Sequence, residues 1–525
     1  MKQIDILFLL VDNPHNYKWH EIPLGLAHLA GQVKAHGMSY KILDFYNYGI
    51  NKKSKRVLRN FIKLYRPRVI GISSSAYNLK LVKKEVARIR KIAKSFGLTI
   101  PIILGGYICI IDKALQITGA DVLCYGEGEI TLIELMNYYL KKNKALDLPR
   151  IQGIMFKSNG GYIKTPSREL IKDLDSLAFP DYDSFYSSYY ELDKAIPIYA
   201  QRGCYNNCNF CDIVEFYGKK YIRRMSPERL IELIKTMKEK YGFTKIDFMD
   251  DNFLNSSKFI SKFFHLLENN FQNNGTLELA LSFQARSDDI LRMKELLLEY
   301  KRFFSSIQIG VESLSQSQLD RWNKNIDVKQ NIEANQFFCD NDIHYVNYYL
   351  WIDRNTSIEE LEENINNLLN LPRVPVELDN NHNLVAKIPN YIYHEDISAI
   401  YDKNGISTVR NIPYLHAARM FLKRTGDIAE TIGVTYIEFK NLLVSFQKAD
   451  LISTAQEFFL IAEQLIKRRL YKMLDIAKRV KLLPVRNKSK VKTIIRNETK
   501  VFISSANLII KPFMKYLKNF YQSKN

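Results

Sequence analysis

Short apolar runs alternate with longer amphipathic segments through the first 350 residues, and this alternation limits the folds open to the chain. Five of the early runs are strand-like: residues 4–11, 40–45, 69–73, 100–104 and 122–124. Strands that alternate with helices favour a parallel, doubly wound α/β sheet, whose ligands bind beyond the carboxyl ends of the strands. We therefore predict an N-terminal doubly wound domain over residues 1–150.

The loops at the carboxyl ends of these strands are rich in serine and glycine. Candidate binding residues there are Ser73, Gly105, Gly106 and Gly126. Small residues let a large flat cofactor or a phosphate approach the backbone closely, although glycines at strand ends also occur in ordinary turns. No G-x-G-x-x-G sequence follows the first strand, which disfavours a dinucleotide.

A second series of alternating strands and helices covers residues 191–390, after a predicted hairpin and linker in residues 151–190. It includes a predicted strand at residues 277–283, a helix that runs through residue 300 and a helix at residues 328–340. This repeat predicts a partial or complete parallel barrel, with its chemistry at the carboxyl ends of the strands. Candidate functional residues at such ends are Asp250, Asp251, Arg286, Glu312 and Ser313. Structural roles are the alternative, since Arg286 could pair with Asp288 or Asp289 and Asp250 could cap a helix.

Three of the six cysteines lie within eight positions, directly after a predicted strand. Cys204, Cys208 and Cys211 form the spacing C-x3-C-x2-C. Three thiolates at this spacing can each bind one iron of an iron–sulfur cube and leave the fourth iron open. A structural zinc site would need a fourth ligand, and no further Cys or His stands nearby in the sequence. So few cysteines argue against a disulfide scaffold and favour a reducing, cytoplasmic environment.

The cysteine motif, with Phe210 before its third cysteine, resembles that of the radical S-adenosylmethionine (SAM) superfamily. The resemblance implies a 4Fe–4S cluster whose open iron binds SAM and whose reduced form cleaves SAM to a 5′-deoxyadenosyl radical. It also implies that Asp250 and Asp251 lie in the amino-group-binding segment, that Arg286 pairs with the SAM carboxylate, and that Glu312 and Ser313 approach the ribose or methionine part. The chain departs from many relatives after the strand at residues 344–352, where a Gly/Pro-rich turn is replaced by Asp353-Arg354-Asn355-Thr356.

A doubly wound domain ahead of such a barrel resembles the cobalamin-binding branch of the superfamily. The matching segments are Pro23 to Leu26, Gly71 to Ser73, Gly105-Gly106 and Gly126 to Glu129. The resemblance implies that Ser73, Gly105, Gly106 and Gly126 contact cobalamin. The D-x-H-x-x-G motif of cobalt-ligating histidine domains is missing, so no histidine of that motif is expected on cobalt.

The C-terminal region, residues 391–525, is predicted to be helical and basic. Residues 451–525 contain 17 Lys/Arg and 4 Asp/Glu, so most of the net charge of +20 lies there. An amphipathic helix over residues 461–482 is either a cap packed on the barrel or a segment that docks on an anionic membrane. Nucleic acid is a weaker alternative because aromatic and basic residues are not interleaved.

The leading hypothesis is a cobalamin-dependent radical SAM enzyme that methylates an unactivated carbon. The same cofactors could instead support an oxidative cyclisation or rearrangement, and a non-catalytic metal-binding protein that docks on membranes is the alternative outside enzymes. A small molecule, lipid or peptide would be the substrate, and a flavodoxin or ferredoxin the electron donor. With 46% hydrophobic and 25% charged residues and no apolar run of about 18 residues, we predict a cytoplasmic globular protein, with peripheral membrane association as a further hypothesis.

Overall fold

Two compact units make up the described part of the chain. The computed structural model describes residues 3–11, 23–44, 52–74, 78–111, 113–141, 147–159, 161–185, 195–211, 213–217, 221–273, 276–277, 279–350, 352–353, 355–371, 376–378, 384–386, 465, 467–483 and 488–522. Of these, the first unit contains the residues up to 207 and those from 211 to 283. The second unit contains residues 208–210 and those from 284 onward.

The first unit opens with a sheet that, among the described residues, has seven strands in the order β2-β1-β3-β4-β5-β6-β7. Its strands are β1 (Ile6–Leu10), β2 (Tyr40–Asp44), β3 (Val69–Ser73), β4 (Ile102–Gly105), β5 (Val122–Cys124), β6 (Ile154–Ser158) and β7 (Gly161–Lys164). Strands β1 to β5 run parallel, which confirms the predicted doubly wound sheet. The predicted hairpin, β6 and β7, extends the same sheet antiparallel to β5.

Helices connect the parallel strands and cover their apolar faces. They are α1 (Leu24–Ala35), α2 (Lys52–Tyr65), α3 (Leu79–Ser95), α4 (Ala114–Thr118) and α5 (Gly128–Tyr139). Leu58 and Ile62 of α2 and Val86 of α3 join one buried core with Leu9 and Ile70 of the sheet. Each fully buried aliphatic side chain contributes about 1.5–3 kcal/mol, so this core fixes the helices on the sheet.

The first unit continues with parallel strands that lead to and follow the cysteine motif. Its further elements are β8 (Ala195–Ile198), β9 (Gln201–Arg202), α6 (Ile213–Tyr217), β10 (Arg223–Arg224), α7 (Pro227–Tyr241), β11 (Lys245–Phe248), α8 (Ser257–Phe271), β12 (Gln272–Asn273), β13 (Thr276–Leu277) and β14 (Ala280–Ala285), whose last two residues belong to the second unit. Strand β11 pairs in parallel with both β8 and β14. Helix α7 begins at Pro227 because the Ser226 side chain accepts the Arg229 N–H, and it ends at Gly242, where φ is +64°.

The second unit continues the alternation of helices and strands. Its elements are α9 (Ser287–Arg292), α10 (Lys294–Glu299), β15 (Phe304–Glu312), α11 (Gln316–Arg321), α12 (Val328–Asp340), β16 (Tyr345–Tyr349), α13 (Ile358–Leu369), β17 (Val376–Leu378) and β18 (Leu384–Ala386). Strands β15 and β16 are parallel, as the barrel prediction requires, and β17 and β18 form an antiparallel pair. Short 3-10 turns in the two units are Tyr107–Ile110, Leu148–Arg150, Leu174–Ser176 and Lys301–Phe303.

Two further helices of the second unit, α14 (residues 467–481) and α15 (Lys488–Gln522), lie in the basic C-terminal region. The apolar side of α14 is buried, with Leu470 1% and Met473 0% exposed, and Lys478 pairs with Glu362 of α13 at 2.9 Å. This burial favours the packed cap for the described part of the predicted 461–482 helix, since that apolar side is not available to a membrane. Among the described residues, no helix is long and apolar enough to span a bilayer.

Candidate active site

The cysteine loop, residues 204–211, begins directly after β9 and is held at its first residues by a glycine and a carboxylate. Gly203 has φ of +93°, and a Cβ there would lie 2.0 Å from the Tyr221 carbonyl oxygen. The Gly203 N–H donates to Oδ2 of Asp251 at 2.9 Å. The backbone that leads into Cys204 is therefore fixed by both sterics and hydrogen bonding.

Asp250 and Asp251, predicted to lie at a strand end, follow β11 as expected. Asp250 is fully buried and accepts the Ala200 N–H at 3.2 Å, while its Oδ1 has no hydrogen-bond partner among the residues that the structure describes. Burial raises the pKa of Asp250 well above its usual range and raises the pKa of Asp251 to about 6. The next helix starts only at Ser257, so Asp250 does not cap it. Both carboxyls support the backbone ahead of the cysteine loop, and their binding of SAM stays a prediction.

The three thiols of the cysteine loop are partly exposed, and none forms a disulfide. The backbone and side-chain N–H groups of Asn206 approach Sγ of Cys204 at 3.5 and 3.7 Å. In the described residues no three Cys, His, Asp or Glu side chains converge closely enough to hold a metal ion, so the structure places the thiols in one loop without bringing them together. Three accessible thiols in one short loop still fit a cluster as a donor set, because thiolates are the ligands that iron–sulfur clusters require.

Arg286 follows β14 and makes contacts in two directions. Its Nε and Nη2 donate to the Asp288 carboxylate at 2.9 and 3.1 Å, which is one of the structural alternatives that the sequence left open. Its Nη1 lies 3.9 Å from Sγ of Cys208, and Nη2 also donates to the carbonyl oxygen of Lys324 at 2.8 Å. A guanidinium beside a cysteine favours the thiolate, and the role of Arg286 toward the SAM carboxylate stays a prediction.

Glu312 ends β15 at a bulge and has a left-handed backbone, with φ of +62°. Its Oε1 accepts from Nζ of Lys324 at 3.1 Å, and this buried Lys324 also lies 5.7 Å from the centre of the Phe210 ring. Sequence analysis did not identify Lys324, because nothing in its local pattern separates it from a surface lysine. A non-glycine residue with positive φ at a strand end is a pattern found at binding sites.

Ser313, next to Glu312, is fully buried in a polar network. Its hydroxyl lies 2.7 Å from Oε1 of Gln318 and 2.9 Å from Oδ1 of Asn364. These contacts give Ser313 a structural role, and its approach to SAM stays a prediction. The segment that replaces the Gly/Pro-rich turn has a similar function, because Asp353 accepts from Arg321 at 3.0 Å and from the Trp322 indole at 2.7 Å.

At the first sheet, the four predicted cofactor residues lie at one edge, the carboxyl ends of β3, β4 and β5. Ser73 is directly paired with Gly105. Gly106 has φ of +86° and packs against Ser74, where a Cβ would lie 2.8 Å from the carbonyl oxygen. A Cβ on Gly126 would meet nothing within 4 Å, and one on Gly105 would meet only Cys124 at 4.0 Å. As far as the described residues extend, the edge is thus open at Gly105 and Gly126, which fits the approach of a large flat ligand such as a corrinoid.

The strand order adds a second argument for binding at this edge. Because β1 has β2 on one side and β3 on the other, the direction of the chain along the sheet reverses between β1 and β3, and ligands of doubly wound sheets bind at such a point. The predicted loop at residues 12–22, including His15 and His20, lies outside the described residues.

Tyr107, which follows Gly106, is exposed and packs on Phe216 of α6 with ring centres 4.8 Å apart. This contact between an aromatic of the first sheet and one that follows the cysteine loop was not predicted.

Comparisons with known proteins agree with this geometry. Residues 15–136 match the B12 binding domain, and residues 198–368 match the radical SAM superfamily. An uncharacterized methyltransferase of Pyrococcus horikoshii is 30% identical over 45% of this chain and 50% of its own length. The anaerobic magnesium-protoporphyrin IX monomethyl ester cyclase of Rubrivivax gelatinosus is 28% identical over 65% of this chain and 60% of its own. The chain therefore spans half to three fifths of the length of these relatives.

Among solved structures, the cobalamin-dependent SAM radical enzyme OxsB, determined with aqua-cobalamin and SAM bound, has the same fold. The TM-score is 0.71 at 16% identity, over 98% of this chain and 81% of that one. The chain therefore contains a radical SAM domain. Ahead of it, the chain contains a B12-binding domain. These two domains imply a 4Fe–4S cluster, SAM and cobalamin as its cofactors.

Proposed function

We propose that this protein methylates an unactivated carbon of a small-molecule substrate, with an external one-electron donor such as a flavodoxin or ferredoxin. The observation that carries the proposal is the presence, in one compact unit, of a parallel sheet with an open glycine edge and of the strand that leads into C-x3-C-x2-C. When bound, the cluster and SAM supply a 5′-deoxyadenosyl radical and cobalamin supplies the methyl group.

The chain's own residues have separate functions in this proposal. Cys204, Cys208 and Cys211 would bind the cluster, with Arg286 placed to stabilise the Cys208 thiolate at 3.9 Å. Gly105 and Gly126 leave the sheet edge free for the corrinoid. No described side chain is assigned to proton or hydrogen transfer, because in such enzymes the cofactors carry that chemistry and the protein orients them.

The test uses anaerobically reconstituted protein with hydroxocobalamin, titanium citrate and SAM that carries a deuterated methyl group. We expect about four irons per chain, 5′-deoxyadenosine, and deuterated methyl in the corrinoid fraction. Cys208→Ala should lose the 5′-deoxyadenosine and retain the corrinoid. Radical formation without any methyl transfer to the corrinoid would contradict the methylation proposal and leave a cyclisation or rearrangement.

The corrinoid site has its own test at Gly105. Among the described residues a Cβ there would meet only Cys124, at an ordinary contact distance of 4.0 Å. Gly105→Val should therefore fold normally and yet block the edge, so the protein should lose hydroxocobalamin on gel filtration. Gly161→Val, in the exposed strand β7 where a Cβ meets no described atom within 4 Å, is the matched control and should retain it. Equal retention by both variants would place the corrinoid elsewhere or exclude it.

We also propose an anionic membrane as the partner surface, through helices α2 and α3. These two helices contain 13 Lys/Arg and one acidic residue, Glu85, which is buried and pairs with Arg88 at 2.7 Å. Arg59 of α2 lies over the Phe96 ring that follows α3, so the two helices are neighbours. Among the side chains that the structure describes, the exposed cations of these helices are Arg56, Arg59, Lys63, Lys80, Lys83, Lys84, Arg90, Lys91 and Lys94. Each well-placed cation contributes about 1 kcal/mol on an anionic leaflet.

The membrane proposal is tested by sedimentation with phosphatidylglycerol vesicles. Lys83→Glu/Lys84→Glu/Lys91→Glu should abolish salt-sensitive binding, since all three lysines are exposed on α3. The same charge reversals at Lys492 and Lys500, exposed on α15, are the control for the C-terminal region. Binding that survives the α3 changes and is lost with the α15 changes would move the surface to the C-terminal helix, and no binding by the unchanged protein would exclude a membrane partner.

A further inference from the structure

Four buried charged side chains of the first unit, Glu127, Glu129, Arg202 and Arg223, form an ion-pair cluster that the sequence did not reveal. Nη1 of Arg202 donates to Glu127 at 2.8 Å, and its Nη2 donates to Glu129 at 2.6 Å. Nη1 of Arg223 donates to the second oxygen of Glu127 at 2.6 Å. The side chains are at most 8% exposed, and the two positive and two negative charges balance.

The two arginines belong to the strands on either side of the cysteine loop in the chain, Arg202 to β9 before it and Arg223 to β10 after it. Arg202 of β9 is directly paired with Arg223 of β10, and Gly203 and Cys204 follow Arg202 at once. The Arg223 guanidinium also lies 5.0 Å from the centre of the Tyr217 ring, just beyond that loop. A shift of Arg202 would therefore move the backbone that carries the first cysteine.

The two glutamates of the ion-pair cluster lie in the segment that connects β5 to the first turn of α5. Glu127 follows Gly126, whose Cα is open and whose φ is +75°, and Glu129 lies in the first turn of α5. Glu127 also accepts the Ile171 N–H at 2.8 Å, so its carboxylate joins three segments of the chain. The loop after β5 thus contains Gly126, at the open edge of the sheet, and directly after it Glu127, which binds Arg202 of the strand that precedes the cysteine loop.

The ion-pair cluster contributes little net stability, and its main effect is to fix the positions of the side chains that form it. Burial penalises the carboxylate of Glu129, but the charge of Arg202 outweighs it and holds the pKa of Glu129 below its ordinary value. The same pairs raise the pKa of Arg202 further above its ordinary value. Glu129 and Arg202 therefore stay charged at neutral pH. Because desolvation of buried ion pairs largely offsets their attraction, the main consequence of the cluster is a fixed position for Arg202.

We propose that Glu127 is a positioning residue that couples the corrinoid edge to the cysteine loop. A ligand that orders the loop at Gly126 orders Glu127, and Glu127 through Arg202 orders the approach to Cys204. Binding at either place then favours binding at the other, since a coupling free energy acts in both directions. This inference rests on the proposed function, because it requires that cobalamin and the cluster are both bound.

The coupling is measured as the Kd of hydroxocobalamin for iron-loaded and iron-free protein under anaerobic conditions. For the unchanged protein we expect cluster loading to tighten cobalamin binding by at least about fivefold. In Glu127→Gln, which keeps the shape of the side chain and removes its charge, the two Kd values should agree within about twofold. The iron content of Glu127→Gln should match that of the unchanged protein, because its three cysteines are intact.

Glu134→Gln is the matched control, since Glu134 lies on the same helix α5 and pairs with Arg168, outside the ion-pair cluster. It should keep the coupling of the unchanged protein. Should Glu127→Gln fail to fold, Glu129→Gln removes only one arm of Arg202 and should give an intermediate ratio. Equal ratios in the unchanged protein and the cluster variants, or loss of coupling in Glu134→Gln, would overturn the inference. No cobalamin binding in any form would instead overturn the proposed function.

Discussion

Replacing Gly203 by alanine tests whether the entry to the cysteine loop is as constrained as its geometry indicates. The added Cβ would lie 2.0 Å from the Tyr221 carbonyl oxygen, and φ of +93° disfavours any L-residue. The backbone term amounts to roughly 1–2 kcal/mol, and an overpacked contact with backbone atoms adds roughly 1–3 kcal/mol. Either the first unit is destabilised by this sum, or the loop moves to relieve the contact and displaces Cys204.

A control separates the two terms. Gly97 has φ of +67° and a Cβ there would meet nothing within 4 Å, so Gly97→Ala carries the backbone term alone. The difference between the variants, about 1–3 kcal/mol, corresponds to about 2–12 °C in Tm at roughly 2–4 °C per kcal/mol for a unit of this size. The assay combines calorimetry of the iron-free protein with the iron content after reconstitution. A Gly203→Ala protein with the Tm of Gly97→Ala and a full complement of iron would refute the reasoning.

Three further changes have expected outcomes. His28→Leu should raise Tm, because it removes two buried ring nitrogens that have no hydrogen-bond partner among the described residues. The gain should grow as pH falls below about 6.5, because burial lowers the pKa of folded His28 to about 3 and protons then favour the unfolded chain. An unchanged or lower Tm would show that the histidine is satisfied. Burial raises the pKa of folded Asp251 to about 6, so the unchanged protein should lose stability as pH rises from about 4 to 6. Asp251→Asn should remove this loss, and identical pH profiles of Tm for the two proteins would contradict the expectation. Leu470→Glu should unfold α14 and lower the Tm of the second unit, because it places a carboxylate at a buried position. If the variant instead has a normal Tm and binds vesicles less than the unchanged protein, this helix docks on membranes.

Local pattern was sufficient for most of the described elements. Strand β3 and helix α12 begin and end at the residues predicted from the sequence, and the structure shows that a capping box of Asp327 and Gln330 starts α12. Strand β14 was predicted at residues 277–283 and lies at Ala280–Ala285, since a short antiparallel pair, β12 and β13, uses the residues before it. The helix predicted through residue 300 is interrupted at Met293, where no proline or glycine marks the break.

The site was predictable only where its chemistry is local in sequence. The cysteine spacing and the glycines at strand ends are visible in the chain itself. The partners of Arg202 lie 73 and 75 residues away, and Lys324 reaches Glu312 only after the turn that follows α11. Such pairs depend on tertiary folding, so no pattern of neighbouring residues identifies them. Arg286 shows both cases, because Asp288 was foreseen as its partner and Cys208 was not.

The extension of the first sheet by the β6–β7 hairpin limits how this protein could be recombined. A cut at residue 150 would leave β5 with an unpaired edge and would separate β6 from the strand it needs. An exchange of the cofactor module between relatives would therefore have to transfer the chain at least through residue 164, together with arginines that match the incoming loop after β5. Family boundaries drawn from sequence similarity, at residues 136 and 198, do not mark the positions where the folded protein can be divided.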